Sequence, residues 1–363
     1  QDTSRYLIIR NCTILDVYEK GIYLNNVTNT VITNCTIQGG PEAPYQGIRL
    51  FNVTYVNVTH CVINNGGNGD LGGGITLVYS SNNYLTGNLL AGNNYGISLD
   101  NSTNNTLAEN NIIGAAYDYN SPVGIAVGDN STDNTLLNNH VTSIFQGTGI
   151  EIDYSPDNVL TANNVSSNVA EFWTEGGIVI WEADHCILTN NIADNNFGDG
   201  ILLLQSSNVL VSNNTDLSNK FYWAGDGIDL IQSNNCSISN NNASNNNYHG
   251  IDLVDSDFNT VTGNDFSGNI NGCIQVYFSY INNYSFGEDY WHEFVNGNLI
   301  YNNAGCFFLA IPGGGLWILG GIAAFAAVLF MRHRKASIRT SERKTAEAAP
   351  KSSEVSDGRE EKN

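Results

Sequence analysis

Runs in which apolar and polar residues alternate recur along the first three quarters of the chain, and each begins with a glycine. Examples are GIYL at Gly21, GIRL at Gly47, GITL at Gly74, GISL at Gly96, GIEI at Gly149 and GIDL at Gly227 and Gly250. A two-residue period is that of a β-strand with one buried face. The opening glycines are Gly21, Gly47, Gly74, Gly96, Gly124, Gly149, Gly177, Gly200, Gly227 and Gly250, with a looser repeat at Gly272. A second column reads Cys12, Cys35, Cys61, Asn88, Asn110, Asn139, Asn163, Asn190, Asn213, Asn241 and Asn264, and from Cys35 on its members follow the first ten glycines at 13 to 15 residues. Two residues beyond it comes a mostly apolar position, from Ile14 and Ile37 to Ile192, Thr215, Ala243 and Phe266. No stretch before residue 307 holds a 3.6-residue apolar period long enough for a helix.

Self-similarity at 22 to 29 residues predicts a solenoid, in which no unit buries its apolar face until a neighbour stacks on it. Equivalent residues in stacked strands lie about 4.8 Å apart, so eleven rungs give a rod on the order of 50 Å long. An Asn at a corner can then hydrogen-bond its equivalents above and below, forming a ladder that satisfies buried polar groups. Repeats such as GIDLVDSDFNTVTGNDFSGN and GIYLNNVTNTVITNCTIQGG resemble the right-handed parallel β-helix of the pectin-lyase-like superfamily, and especially its NosD-like surface repeats of archaeal type. The resemblance spans about residues 1–300. It implies an all-β, right-handed parallel β-helix of about 11–12 coils, with one C-terminal transmembrane helix added by the reading of the segment below. It does not by itself assign an activity, because one scaffold carries many functions.

Charge and hydropathy divide the chain. The sequence carries 14 basic and 35 acidic residues, net −21, but nine of the basic residues follow residue 331. Such an acidic surface repels nucleic acid and anionic lipid and excludes nucleic-acid partners. It is compatible with calcium, although no cofactor is required. The stretch from Phe307 to Met331 has no charge and is followed by RHRK, the pattern of a membrane span with its basic flank inside. The expected organisation is a β-helix ectodomain over 1–305, a juxtamembrane hinge over 306–315, a transmembrane helix over 316–331 and a disordered cytoplasmic tail over 332–363. The solenoid would then lie outside a single-pass cell membrane in an archaeal-type envelope. The opening QDTSRYLIIRNCTI matches the second half of a coil, so an N-terminal cap and signal are expected to be missing from the sequence.

Cys12, Cys35 and Cys61 replace Asn in three successive rungs, a column of small buried thiols in which a Cys35–Cys61 bridge is also geometrically allowed. Cys186 and Cys236 share another position two coils apart, and Cys273 and Cys306 are the remaining candidates for a disulfide tying the end of the solenoid. Asn-x-Ser/Thr sequons are frequent, and exposed corners such as Asn101 and Asn130 are plausible glycan carriers. Asn213, as a ladder residue, would be buried.

Carboxylates gather on the outward side of the later strands: Glu151 and Asp153, then Asp199, Asp226 and Asp229, then His249 and Asp252. Paired carboxylates are the acid and base of glycosidases, so Asp226, Asp229, Asp252 and His249 are the residues to consider if the protein is an enzyme. Against that stands a solvated acidic face. The resemblance implies calcium-dependent lyases with an Arg or Lys base and epimerases with an Asp-Pro-His-Glu signature. Here Lys220 is read as lying in a loop, and Asp184-His185 is the nearest match. Copper handling, implied by the NosD-like label, lacks grouped soft ligands: the one Met is Met331, and His60, His140, His185, His249 and His292 are scattered. No metal site is assigned.

Nearly all variation in repeat length falls between a ladder residue and the next glycine. The long connections carry Tyr45, Tyr117, Tyr119, Phe172, Trp173, Phe221, Tyr222 and Trp223. Insertions on one edge of a solenoid mark a binding face, and aromatic rings stack on sugars. The alternative is that these rings cover their own coil. The reading is a surface protein that binds carbohydrate or neighbouring surface proteins, with a polysaccharide-acting enzyme and a copper accessory protein as alternatives.

Overall fold

The computed structural model describes residues 6–40, 45–64, 73–114, 122–169, 176–220, 225–277, 293–295 and 298–301. The chain divides at Leu309/Ala310 into two units, and all described residues belong to the first. Three sheets line a solenoid, with orders that advance by one coil at each step. The first has thirteen strands, from Leu7–Arg10 to Asn298–Tyr301, with Glu293–Val295 added antiparallel at the end. The second has seven, from Thr13–Val17 to Asn164–Ser166, and continues as single bridges through Ile192, Thr215, Asn242 and Asp265. The third has eleven, from Lys20–Asn25 to Gly272–Tyr277, all parallel. Its two terminal strands each have a neighbour on one side only.

The interior is apolar and continuous. Ile48, Ile75, Ile97, Ile125, Ile150, Ile178, Ile201, Ile228 and Ile251 form one fully buried stack on the third sheet. The glycines that open these strands sit where the third sheet approaches the second. A Cβ on Gly227 would stand 2.6 Å from Ala243 Cβ and 2.8 Å from Gly250 O, so no larger residue fits.

The polar corners form the expected ladder and three more. In the first, each Asn donates its side-chain amide to the next, from Asn88 through Asn110, Asn139 and Asn163, then through Asn191 and Asn214 to Asn241 and Asn264, at 2.9 to 3.0 Å. Two rungs therefore differ from the expectation. Asn190 and Asn213 precede the ladder in left-handed backbone, φ 57° and 56°, and are exposed. That conformation repeats at this corner in Asn138, Ala162 and Asn240. The sequon at Asn213 is correspondingly exposed, not buried. A second column runs Asn83, Asn105, Asn134, Asn158, a third Asn168, Asn196, Asn219, Asn246, and serines such as Ser206, Ser233 and Ser256 accept backbone N–H groups at another corner.

Cys12, Cys35, Cys61, Cys186 and Cys236 are free thiols, so no Cys35–Cys61 bridge forms. Burial pushes the Cys61 thiol up to about 11. Cys273 is disulfide-bonded; Cys306, its expected partner, lies outside the described residues. So does the apolar segment from residue 307 onward. Among the described residues, no helix is long and apolar enough to cross a membrane.

Candidate functional site

Several third-sheet strands alternate buried and part-exposed positions, as in Thr148–Asp153, whereas Gly73–Val78 is buried throughout. Gly176–Trp181 and Asp199–Leu204 are also buried at every position, as is Ile228–Ile231. Their sequences, GGIVIW, DGILLL and IDLI, are near-continuous apolar runs, the composition of strands covered on both faces. Val179, Trp181, Leu202, Leu204 and Ile231 point outward yet are buried.

The acidic residues enter this covered face. One outward column reads Glu151, Val179, Leu202, Asp229, Asp252, Gln275, so Asp229 and Asp252 are direct neighbours on paired strands. Glu151 is three rungs from Asp229, with Val179 and Leu202 between, and neither it nor Asp153 joins the group. At the start of the same strands, Asp199, Asp226 and His249 follow one another. Asp199 Oδ1 accepts the backbone N–H groups of Gly225 and Asp226 at 3.0 and 2.8 Å, and Asp226 Oδ1 accepts that of His249 at 2.6 Å. His249 Nδ1 lies 3.2 Å from Asp226 Oδ1, and the Tyr248 ring meets the imidazole edge-on at 4.4 Å. Asp226, Asp229, His249 and Asp252 are 3, 8, 4 and 7% exposed, so the solvated acidic face is not what forms.

Burial dominates the electrostatics. It raises Asp199 to about 8, with the Asp226 charge adding to it. Asp229 is held well above the ordinary carboxylate range by burial first and then by Asp252, Asp199 and Asp226. Asp252 is raised by burial and by Asp226 and Asp199. Side chains of Asp226, His249 and Asp252 offer one ligand atom each, all within 4.8 Å of one another. One nitrogen and two oxygens can hold a divalent cation, a capacity the sequence did not disclose although it named all three residues.

Other expected residues lie elsewhere. Lys220 is not in a loop: it pairs with Phe197 in a parallel bridge, two residues before Asp199, with its side chain exposed. That brings a basic residue's backbone to the approach of the cluster. Asp184 and His185 are at a different corner, where Asp184 Oδ1 accepts the Ser207 N–H and exposed His185 stands 3.8 Å from Asp157. Tyr45 is fully buried in the core, its hydroxyl donating to Asn64 O at 3.1 Å, so it covers its own coil. Tyr117, Tyr119, Phe172, Trp173, Phe221, Tyr222 and Trp223 lie outside the described residues.

The family described as right-handed β-helix region matches residues 1–145 and 116–266. The chain belongs to the right-handed β-helix family. Among solved structures, this β-helix is similar to the A-module of the Azotobacter vinelandii mannuronan C-5 epimerase AlgE4, with TM-score 0.57 and 13% identity over 85% of this chain and 90% of that one. It is also similar to the periplasmic alginate epimerase AlgG, at 0.52 and 16% over 74% and 75%. A third similar structure is PfbA, a surface adhesin of Streptococcus pneumoniae, at 0.55 and 12% over 74% and 79%. At these identities the likeness is one of fold. No curated protein sequence matches the chain.

Proposed function

We propose that this β-helix is a cell-surface protein that binds polysaccharide at the corner where the second sheet passes into the third. One observation carries the reading. The long connections that precede Gly47, Gly74, Gly124, Gly177 and Gly227 each lead along the chain into a third-sheet strand. Asp226 stands beside the last of these strand starts, and Asp199 and His249 open the strands one coil before and one coil after it. Insertions gathered on one edge of a solenoid mark its binding face, and acids beside aromatic rings suit sugars, which offer hydroxyls to bond and faces to stack. The fold neighbours include epimerases of alginate or mannuronan and a surface adhesin, which supports a carbohydrate or surface partner. The apolar segment 307–331 with its basic flank supports attachment to a membrane, and the exposed sequons support glycosylation.

An enzymatic reading has its own observation: Asp229 and Asp252 are paired on adjacent strands beside His249, the arrangement of a carboxylate pair that acts on a glycosidic bond or sugar ring. Incubating the purified full-length chain in detergent with acidic and neutral polysaccharides separates the two. Retention of one polymer without change in its length or saturation is the expected result. Trp173→Ala with Trp223→Ala should weaken that retention at least tenfold while the melting midpoint stays within about 2 °C of wild type. Shortened, epimerised or unsaturated products that vanish in Asp229→Asn and Asp252→Asn would make the enzyme reading correct. Neither retention nor product across the panel would remove the carbohydrate reading altogether.

A further inference from the structure

Four carboxylates, Asp199, Asp226, Asp229 and Asp252, are buried together at the spacing of adjacent rungs, about 4.8 Å. Among the described residues no Lys or Arg forms an ion pair with any of them; the two ion pairs there both involve His, and one is His249 with Asp226. In a low-dielectric setting, such a group calls for a compensating positive charge. The donor atoms are arranged for one. Oδ1 of Asp229, Oδ1 of Asp252 and Nδ1 of His249 are buried and without a hydrogen-bond partner, and native structures rarely leave buried polar atoms so. Asp226 Oδ1, which takes the His249 N–H, faces the same space.

We propose that Asp226, His249 and Asp252 bind a divalent cation of the zinc or manganese class. The ligand types decide the class. Imidazole nitrogen with carboxylate oxygen suits borderline transition ions, whereas calcium takes six to eight oxygens. Dimensions agree: two ligands about 2.1 Å from one zinc ion stand about 3.4 Å apart in a tetrahedral site. His249 Nδ1 and Asp226 Oδ1 are already 3.2 Å apart. The widest pair, within 4.8 Å, closes through a side-chain rotation. Asp199 acts as a positioning residue, because its Oδ1 accepts the N–H groups of Gly225 and Asp226 and so fixes the backbone at Asp226. Asp229, one rung from Asp252, is placed to orient that ligand or a metal-bound water, as outer carboxylates do at metal centres. This assignment stands whether or not the protein binds polysaccharide.

The test is metal content and metal-linked stability of the untagged full-length chain. Chelator-stripped protein is titrated with zinc, manganese and calcium, and bound metal is measured by mass spectrometry after desalting. Expected are one zinc or manganese per chain, a melting midpoint raised by several degrees, and calcium at least tenfold weaker. Asp252→Asn, nearly isosteric, and His249→Gln should each weaken binding tenfold or more while far-ultraviolet circular dichroism retains the β signal. Stoichiometry on the unmodified chain keeps the proposal testable if a variant fails to fold. No retained metal with no shift in midpoint would overturn it, as would equal binding by wild type and both variants. Calcium binding as tightly as zinc and manganese would overturn the class assigned.

Discussion

Asp216 is the least comfortable residue in this solenoid. Its column runs Ala193, Asp216, Ala243, Phe266, inside the core, where Asp216 is fully buried and neither carboxylate oxygen has a hydrogen-bond partner. Burial, and then the charge of Asp194, holds it well above the ordinary carboxylate range. The alanines beside it are the small side chains that let a polar group fit. An acid that folds in its neutral form contributes most below the unfolded value of about 4, and stability falls as pH rises from there toward the folded value. Asp216→Asn, which cannot ionise, should therefore raise the melting midpoint at pH 8 and make its decline between pH 4 and pH 8 shallower. The gain at pH 8 should be that linkage cost, about 1.4 kcal/mol for each pH unit over which the carboxyl is protonated only in the folded chain. Parallel curves for the two proteins would show that Asp216 is not held neutral. The sequence hid this residue behind a slip of one position. Placing Asn190 and Asn213 on the ladder put exposed Ile192 and part-exposed Thr215 in the core column instead of Ala193 and Asp216. The signal was present in the spacing: with Asn191 and Asn214, the glycine-to-ladder distance is 14 residues in every coil but one, Gly124 to Asn139 at 15.

At the scale of strands and corners, the two-residue alternation was enough to find the third sheet, because a half-buried strand writes its burial into the sequence. The ladder was legible for the same reason, since Asn recurs where a corner needs a donor and an acceptor in each coil. Two further Asn ladders and the serine corner were less visible because Asn and Ser are common throughout the chain, and because Cys186, Val209 and Cys236 interrupt one column. A ladder makes each rung answer for its neighbours. Asn163 accepts from Asn139 at 2.9 Å, donates to Asn191 at 3.0 Å and bonds Leu136 O at 2.9 Å. Asn163→Leu leaves buried partners on both sides unpaired, each costing about 1 to 3 kcal/mol. The melting midpoint should drop by several degrees, and hydrogen exchange should speed up first in the coils holding Asn139 and Asn191, since stability in a solenoid is set by nearest neighbours. An unchanged midpoint would mean the ladder adds nothing to stability.

Across the whole molecule, the acids of the candidate site come from three successive coils, and sequence order gave their names but not their environment. The outward face around them is buried together with Val179, Trp181, Leu202, Leu204 and Ile231 on the neighbouring strands, so the acids form a buried group and not a surface stripe. Runs such as GGIVIW and DGILLL carried that information, since strict alternation fails in them. The same whole-chain logic of charge and hydropathy bears on topology. Bases crowd after residue 331, directly behind the uncharged stretch 307–331, while the part before it is acidic. If that stretch spans a membrane, the positive side faces the cytoplasm and the solenoid faces out. Protease added to intact cells producing the protein should then degrade epitopes in the solenoid and leave an epitope appended after Asn363 protected until the membrane is permeabilised. Cleavage at Lys344 or Lys351 in intact cells would reverse the orientation, and full release of the chain by alkaline carbonate washing would show that the segment does not anchor it.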